Sequence, residues 1–534
     1  MKLAGNKFVL SVFSSLLLIL AWQPNFSFLI FIAFVPLLLI EDEISASAST
    51  KKKLKIFGFS YLVFALWNVG VTWWVYYASA GGSLMAFFPN ALLMGIIFLI
   101  FSNLKNRIGS KWGIWIFIPF WLAFEYGHSV WDLAWIWLNL GNVFCWHPNW
   151  IQWYEFTGSS GGSLWVLIVN VLIFSAIKNT EQQKNKLKWI GISLSLILPI
   201  AMSYLILGLR SPLNENRKNV VIVQPNIDPY NEKFDLDYES QFRKMLKLIQ
   251  GKVNSETDYL VLPETFITGI EWFGVNENEI EKSEEIKWFR DSLISRFPQL
   301  KIVVGASSYL IYKDEKSATA TSRKDRSGIY FDCFNTAFQI DKDRVQLYHK
   351  SKLVPGVERM PFPALFKPLE NLAIDLGGTS GSLGTQTERA NFYDENNKSG
   401  IAPVICYESV FSDYVSGYIR KGADFIFIIT NDGWWSDSPG HIQHLNYARI
   451  RAVETRRQIA RSANTGISCV IDEFGSISQA TEYWKEAVIS AQIFGNSEQT
   501  FFTKFGDLIS YISVILTGLC LSFSIWLRFT KGNK

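Results

Sequence analysis

The chain has 534 residues, which is too long for one compact core, so at least two folding units are expected. Aromatic residues form 15% of it and include 21 Trp, a composition that excludes an intrinsically disordered protein. The net charge of only +4 and the five cysteines, which form no Cys-x-x-Cys pair, exclude a strongly basic nucleic-acid-binding protein, a disulfide scaffold and a zinc-finger-like site.

Long apolar runs at both ends of the chain predict eight membrane-spanning helices, seven before residue 210 and one near the C-terminus. A hydrocarbon core about 30 Å thick needs about 20 helical residues, and most of the runs approach that length. The predicted spans are 8–22, 28–40, 56–78, 84–101, 112–124, 164–177, 189–209 and 508–527.

The charges beside these runs predict the orientation of the chain. Sixteen Lys and Arg residues fall on one side of the predicted spans, whereas the short loops 23–27 and 79–83 and the longer loop 127–162 on the other side contain none. Positive loops face the cytoplasm, so the block between the seventh and eighth spans is expected outside, on the periplasmic face of a bacterial inner membrane. The predicted domains are therefore 1–209, 210–507 and 508–534.

The outside loop 127–162 is rich in tryptophan. Its six Trp residues fit an aromatic belt at the level of the lipid headgroups, which is the favoured interpretation, and they also fit a surface that holds lipid beside an outward-facing site. The sequence leaves both interpretations open. The Trp residues are Trp131, Trp135, Trp137, Trp146, Trp150 and Trp153.

The block 210–507 has the pattern of a layered α/β domain, because short β-branched and aromatic runs alternate with helical patterns. The predicted helices cover 237–250, 279–296 and 442–461. The predicted strands cover 220–223, 259–262, 301–304, 337–340, 401–405 and 425–430.

Three chemically active residue types follow apolar runs in this domain: Glu264, Lys350 and Cys406. Taken singly, each fits a common structural role without catalytic function: a capping or surface Glu, a solvated Lys or an inert core Cys. Together, the three residue types are those that catalysis by a thiol nucleophile requires. A thiol nucleophile needs a base for its proton, which Glu264 can supply, and a cation for the oxyanion, which Lys350 can supply.

These residues and their neighbours resemble the nitrilase, or carbon–nitrogen hydrolase, superfamily, and with the flanking spans they resemble its apolipoprotein N-acyltransferase family. The supporting segments are Val223-Gln224-Pro225-Asn226-Ile227, Leu262-Pro263-Glu264-Thr265, Tyr348-His349-Lys350 through Glu358, Ile405-Cys406-Tyr407-Glu408, Thr430-Asn431-Asp432-Gly433-Trp434-Trp435 and His444 through Glu454, with Trp137-Leu138-Asn139-Leu140-Gly141 and Glu155-Phe156-Thr157-Gly158 nearer the N-terminus. The resemblance implies an α-β-β-α sandwich and covers nearly the whole chain.

The resemblance also implies roles for individual residues. Cys406 is expected to be the nucleophile, Glu264 the general base and Lys350 the oxyanion stabiliser. Glu358 matches a second glutamate that supports the lysine, and Glu408 matches one that shapes the mouth of the site. The family's usual Phe-Gly before the supporting glutamate is replaced here by Gly356-Val357. Residues expected to contact substrate are Phe234, Trp434 and Trp435.

The implied reaction is a two-step acyl transfer. Cys406 would take the sn-1 acyl chain of a phospholipid, with phosphatidylethanolamine as the expected donor, and form a thioester. The α-amine of the diacylglyceryl-cysteine that begins an apolipoprotein would then accept the chain. A single copy of the chain is expected to work without a cofactor and without nucleic acid.

Two other interpretations stay open on the residues alone. A membrane-tethered amidase of the nitrilase type would use the same three residues but would not need seven preceding spans. A scaffold that binds lipoproteins without catalysis would not need Cys406. His441 and His444 lie three positions apart on a helical pattern, but no HExxH motif or nearby carboxylate completes a zinc site, so no metal is expected.

Overall fold

The computed structural model of the protein describes residues 6–178, 182–230, 232, 237–273, 277–360, 382–394 and 399–531. The chain forms two compact units, which are described separately. The first, here called the helical unit, comprises Met1–Val75, Gly82–Leu209 and Phe505–Lys534, and the second, here called the sheet unit, comprises Tyr76–Gly81 and Arg210–Lys504.

Among the described residues, the segments 6–209 and 508–531 are mostly helical. Short 3₁₀ turns interrupt the apolar segments at Ser27–Phe31, Ile114–Ile116, Leu140–Trp146 and Pro148–Trp150. The α-helices of these segments are Lys7–Ala21, Val35–Ala46, Lys52–Thr72, Val75–Ala78, Ala80–Ile108, Ser110–Gly113, Phe117–Ser129, Tyr154–Thr157, Ser159–Lys178, Gln182–Leu209 and, near the C-terminus, Leu508–Lys531.

Within the described residues, five helices are long and apolar enough to cross a membrane, so the predicted count of eight spans is not confirmed. Predicted span 8–22 is the 15-residue helix Lys7–Ala21, and spans 28–40 and 112–124 are broken by 3₁₀ turns. Pro36 and Pro119 lie in the first turns of the helices that follow those breaks, where a missing N–H costs little. The five helices are Lys52–Thr72, Ala80–Ile108, Ser159–Lys178, Lys186–Leu209 and Leu508–Trp526.

A buried carboxylate organises the Trp-rich loop of the helical unit. Glu125 accepts hydrogen bonds from Trp121 Nε1 at 3.1 Å, from the Leu140 amide at 2.8 Å and from Ser163 Oγ at 2.6 Å. Ser163 Oγ in turn accepts from the Gly141 amide at 2.9 Å. A polar group at this depth is costly unless it is hydrogen-bonded, and here its partners come from two helices and the loop between them. Glu125 therefore fixes the loop to the helices on either side.

The six tryptophans of this loop are all buried or half-buried within the protein. Trp137 stacks on Trp135 with 5.7 Å between ring centroids and packs against Trp74 at 4.8 Å. The rings of the loop thus contribute to the packing of the helical unit itself.

The sheet unit is built on two β-sheets. Its strands are β1 (Arg217–Gln224), β2 (Tyr259–Val261), β3 (Ile267–Phe273), β4 (Lys301–Ile311), β5 (Arg323–Lys324), β6 (Tyr330–Ile340), β7 (Val345–His349), β8 (Phe392–Asp394), β9 (Ser399–Ile405), β10 (Phe425–Thr430), β11 (Ile459–Ala463), β12 (Cys469–Ile471), β13 (Ile477–Ser478) and β14 (Ala487–Phe494). The first sheet has the order β14-β1-β2-β4-β6-β5, with β3 also paired to β4 and β7 to β6. The second has the order β13-β12-β11-β10-β9-β8.

Each sheet has parallel strands at its centre. Strands β1, β2 and β4 are parallel in the first sheet, and β9, β10 and β11 are parallel in the second. Every residue of β2, β9 and β10 is buried. Strands covered on both faces are apolar at successive positions, which is the pattern that predicts these strands from the sequence.

The two sheets face each other, and helices cover their outer sides. The ring of Tyr259 on β2 meets that of Phe427 on β10 edge-on at 5.3 Å, and Ser462 Oγ on β11 donates to the Val223 carbonyl at 2.8 Å. The helix Tyr238–Ile249 packs its apolar side on the first sheet, and the helix Ser412–Arg420 packs against β9. The predicted α/β class is correct for this unit.

Two predicted helices differ from the structure. The segment 279–296 is divided into Glu277–Lys282, Glu284–Phe289 and Arg290–Ile294. The predicted helix 442–461 is wrong at its C-terminal end, because the helix Pro439–Thr455 stops there and β11 follows. Arg456 adopts φ +51° after the helix, which ends it in a left-handed cap, and the apolar residues beyond it belong to the strand.

The backbone around Glu264 leaves no room for a side chain at Gly305 on β4. A β-carbon there would lie 2.6 Å from Glu264 Cα and from Thr265 N. We expect Gly305→Ala to force the two backbones apart and to lower the free energy of unfolding by about 1–3 kcal/mol. A thermal unfolding scan of the purified protein measures the effect as a lower midpoint.

Gly269→Ala on β3 is the matched control, because its β-carbon would meet only Tyr309 Cε2, at 3.6 Å. Equal midpoints for the two variants would contradict the steric argument.

Candidate active site

Glu264 follows β2 in a turn that buries its carboxylate. The turn places Thr265 at φ +50°, and only 6% of Glu264 is exposed. Its Oε1 accepts from Asn335 Nδ2 at 2.6 Å and from Lys350 Nζ at 3.1 Å, and its Oε2 accepts from the Asn431 amide at 3.0 Å. The carboxylate is thus held at both oxygens.

Lys350 follows β7 directly and carries a buried ammonium. Its amide donates to the Asn335 carbonyl at 2.8 Å, and its Nζ donates to Glu264 Oε1 at 3.1 Å and to Glu358 Oε1 at 2.8 Å. Burial alone would lower the pKa of Lys350, but the charges of Glu264 and Glu358 raise it well above its ordinary value. The lysine is therefore a cation at neutral pH.

Glu358 is held by a tight turn of the chain. Its Oε2 accepts from the Val354 amide at 2.8 Å, and its own amide donates to the Val354 carbonyl at 2.9 Å. Gly356 has φ +78° in this turn, a conformation that glycine adopts without strain. The replacement of the family's Phe-Gly by Gly356-Val357 is thus compatible with a turn that presents Glu358 to Lys350.

Cys406 follows β9 and is the first residue of the turn Cys406–Val410. It is 8% exposed and has φ +49°, in the left-handed region. Burial raises the pKa of the thiol above its ordinary value, the charge of Glu264 raises it further, and the charge of Lys350 acts in the opposite sense. The resting thiol therefore keeps its proton, with a carboxylate and an ammonium acting on it.

Glu408 is fully buried and belongs to the same turn as Cys406. It accepts from Tyr348 Oη at 2.6 Å and from the Ser351 amide at 2.7 Å through Oε1, and from the Ile405 amide at 3.0 Å through Oε2. Burial raises its pKa, and these donors lower it in part. Glu408 joins the ends of β7 and β9, and its expected role at the mouth of the site stays a prediction.

The structure describes two of the three residues that are expected to contact substrate. Phe234 lies outside the described residues. Trp434 and Trp435 are half-buried in the turn Asp432–Trp435. The Trp434 ring meets that of Tyr230 edge-on at 5.3 Å, and Tyr230 Oη donates to the Trp434 carbonyl at 2.8 Å.

Some residues that support the site are not singled out by the sequence analysis. Asn335 lies inside β6 and donates to Glu264, and the Asn431 amide, just after β10, does the same. The position of Asn431 immediately after the apolar strand β10 is a sequence signal that would have found it, whereas Asn335 stands among other polar residues of β6 and gives no such signal. Asp432 and Arg461 are fully buried and joined by an ion pair at 2.6 Å.

The two histidines considered as metal ligands have separate environments. The His441 ring stacks on Tyr483 with centroids 3.9 Å apart, whereas His444 Nδ1 lies 3.0 Å from Asp432 Oδ1. No group of three or more His, Cys, Asp or Glu residues in the described part of the chain is arranged to hold a metal ion.

The arrangement around Cys406 combines a protonated thiol, a carboxylate and an ammonium in a buried place. A carboxylate held in this way can accept the thiol proton as the sulfur attacks a carbonyl carbon. A buried ammonium can stabilise the oxyanion that develops, and its effect is large where water is excluded. The site therefore has the parts needed for acyl transfer through a thioester.

Two family models match the chain. The model described as carbon–nitrogen hydrolase matches residues 219–500, and the model described as the apolipoprotein N-acyltransferase N-terminal domain matches residues 14–172. The first match contains Glu264, Lys350, Glu358 and Cys406.

Similar curated proteins cover nearly the whole chain. Apolipoprotein N-acyltransferase from Chlorobaculum tepidum is 28% identical over 536 residues, with 97% of this chain and 96% of the relative covered. The protein of the same name from Geobacter metallireducens is 26% identical, with 95% and 93% covered. Among solved structures, Saccharomyces cerevisiae Nit3 of the nitrilase superfamily aligns with 56% of this chain and 97% of its own at 16% identity and a TM-score of 0.38. The chain belongs to the carbon–nitrogen hydrolase family, and within it to the apolipoprotein N-acyltransferases.

Proposed function

We propose that this protein N-acylates apolipoproteins: it moves the sn-1 acyl chain of a membrane phospholipid to the α-amine of the N-terminal diacylglyceryl-cysteine. The observation that carries the proposal is the buried Glu264–Lys350–Glu358 cluster together with a buried Cys406 on which its charges act, within a chain whose relatives carry the acyltransferase name over nearly their full length. Phosphatidylethanolamine is the proposed donor.

In the first step, the sulfur of Cys406 bonds to the carbonyl carbon of the ester while Glu264 takes the thiol proton. The carbonyl oxygen becomes an oxyanion, which Lys350 stabilises. The carbon–oxygen bond to the glycerol then breaks, and Glu264 returns the proton to the departing oxygen. The products are an acyl-thioester on Cys406 and a lysophospholipid.

In the second step, the lipoprotein amine attacks the thioester carbonyl and forms a carbon–nitrogen bond. Glu264 takes a proton from the attacking nitrogen, and Lys350 again stabilises the oxyanion. The carbon–sulfur bond breaks, and the proton passes from Glu264 to the leaving sulfur. Cys406 is restored as a thiol, and the lipoprotein carries an amide-linked acyl chain.

Both lipid substrates stay in the bilayer, so a membrane-embedded enzyme gains proximity from its own anchoring. Five apolar helices of membrane-spanning length support this placement. We further propose that residues 210–507 form the catalytic domain on the periplasmic face of the inner membrane, flanked by membrane domains 1–209 and 508–534, and that one copy of the chain is sufficient. The sixteen basic residues on the opposite side of the predicted spans support that orientation.

An amidase of the nitrilase type is the competing reaction for the same cluster. The match of residues 14–172 to the N-terminal domain of apolipoprotein N-acyltransferases favours the acyltransferase, because an amidase has no need of that region. The buried charge cluster disfavours a scaffold without catalysis, because burying charged groups costs free energy and a non-catalytic scaffold has no need of them.

Replacing the nucleophile tests the reaction itself. We expect Cys406→Ser to lower N-acylation of a diacylglyceryl lipopeptide at least about a thousandfold, because the thioester cannot form. Mass spectrometry after incubation with phosphatidylethanolamine measures the acyl group on residue 406, and addition of the lipopeptide amine should discharge it.

Cys520→Ser in the helix Leu508–Lys531 is the control, since Cys520 lies outside the sheet unit. Unchanged N-acylation by Cys406→Ser would contradict the assigned nucleophile, absence of N-acylation by the parent protein itself would favour the scaffold, and ammonia released from a small amide without lipid transfer would favour the amidase.

Replacing the buried cation tests the electrostatic argument. Lys350→Met leaves the carboxylates of Glu264 and Glu358 without their shared ammonium. We expect the variant to lose about 3–5 kcal/mol of stability, and thioester formation to fall at least about a hundredfold. Thermal unfolding and single-turnover acylation of Cys406 measure the two effects.

Lys352→Met is the matched control two residues further on. The Lys352 ammonium lies over the rings of Phe411 and Tyr414 at 4.9 and 5.7 Å, so its loss leaves the Glu264 carboxylate paired. Equal rates for the two variants would rule out the assigned role of Lys350.

The proposed orientation predicts which exposed loops a protease can reach. Segment 313–327 of the sheet unit contains exposed Lys316 and Arg326, and the loop at Lys51 and Lys53 lies on the basic side of the predicted spans. Trypsin added to intact bacterial spheroplasts should cleave the first segment and spare the second until the cells are lysed. Protection of 313–327 in intact spheroplasts would place the catalytic domain inside the cell.

A further inference from the structure

The proposed nucleophile occupies a backbone conformation that needs external support. Cys406 has φ +49°, and residues with a β-carbon rarely adopt this region. Such a conformation persists only where neighbouring groups fix it, and it often serves a functional site. The contacts of the Cys406 backbone therefore indicate which residues keep the thiol in place.

Two side chains hold the Cys406 carbonyl. Ser409 Oγ donates to it at 2.7 Å, and His444 Nε2 lies 3.1 Å from it. A carbonyl oxygen only accepts hydrogen bonds, so His444 donates to it when Nε2 carries a proton, and Ser409 Oγ lies 2.9 Å from the same nitrogen. Ser409 belongs to the same turn as Cys406, whereas His444 comes from the helix Pro439–Thr455. His444 thus connects the nucleophile turn to a separate element of the fold.

Asp432 fixes the orientation of the His444 ring. Its Oδ1 lies 3.0 Å from His444 Nδ1 and accepts from Thr430 Oγ1 at 2.8 Å, and its Oδ2 accepts from Arg461 at 2.6 Å. Burial alone would raise the pKa of Asp432, but Arg461 and His444 lower it below its usual range, so the carboxylate stays ionised. The side chains of Asp432, His444 and Arg461 are inaccessible to solvent.

The turn after β10 positions the general base as well. The Asn431 amide donates to Glu264 Oε2 at 3.0 Å, and the next residue, Asp432, holds His444. One turn of the chain therefore fixes Glu264 directly and Cys406 through His444. Any movement of this turn would change the distance between base and nucleophile.

We propose that His444 is a positioning residue for the acyl transfer: oriented by Asp432, it holds the Cys406 backbone so that the thiol stays aligned with the Glu264 carboxylate. The inference rests on the proposed function, because it takes Cys406 as the nucleophile. His444 acts on the backbone, so its loss should slow the chemical step and leave phospholipid binding nearly unchanged. A misplacement of about 1 Å can cost about a hundredfold in rate.

The test uses the full-length protein in phosphatidylethanolamine vesicles with a labelled acyl chain. We expect His444→Ala to lower kcat for thioester formation about a hundredfold, with KM for the phospholipid changed less than about threefold. His444→Gln should recover at least about a tenth of the parent rate, since its amide N–H can donate to the same carbonyl. A purely structural role would not produce this split between kcat and KM, nor rescue by an amide.

His441→Ala is the matched control. His441 lies one helical turn earlier, is also buried, and stacks on Tyr483. Its variant should keep the parent kcat. The proposal would be overturned if folded His444→Ala formed the thioester at the parent rate. It would also be overturned if His441→Ala lost as much kcat as His444→Ala.

Asp432→Asn covers the case in which His444→Ala does not fold. A kcat at least about tenfold lower with an unchanged KM supports the positioning role, and a parent-like kcat overturns it. Failure of the proposed function gives a different result, because the parent chain itself would then form no thioester on Cys406.

Discussion

The ammonium of Lys350, buried between the carboxylates of Glu264 and Glu358, is the interaction on which the rest of the site depends. Charges removed from water are tolerated when opposite charges and hydrogen-bond donors surround them, and here one cation serves two anions. The three side chains come from separate segments, following β2, following β7 and from the turn that begins at Val354. Their mutual attraction therefore also sets the relative positions of these segments, and the thiol of Cys406 lies within the field of the same charges.

The parts of the site that the sequence predicts share one physical origin. Glu264 follows β2, Lys350 follows β7 and Cys406 follows β9, so each is a polar or reactive residue after a run of β-forming residues. A buried strand can be predicted from the sequence because its successive positions are apolar, and its end can be predicted because that pattern stops. The same regularity accounts for the α/β class. Glu358 is expected from the family resemblance instead, because its spacing from Lys350 is kept.

Other features depend on contacts between segments distant in the sequence. Asn335 lies within β6, where a single polar residue gives no indication that it will face Glu264. The predicted helix 442–461 is too long because its apolar spacing continues into β11, and only the left-handed conformation at Arg456 separates the two elements. The predicted count of eight membrane spans is not confirmed for a related reason: apolar composition does not reveal the 3₁₀ turns that interrupt segments such as 112–124. In each case, tertiary packing decides between local alternatives of similar energy.

The raised pKa of the Cys406 thiol affects the resistance of the enzyme to oxidation between turnovers. Peroxides and foreign disulfides react with the thiolate form of cysteine, and they need access to the sulfur. Cys406 is 8% exposed, and burial together with the negative charge of Glu264 disfavours its ionisation. In the proposed reaction, this disfavours oxidation of the sulfur between turnovers, and the sulfur becomes reactive when Glu264 removes its proton during the encounter with an acyl ester.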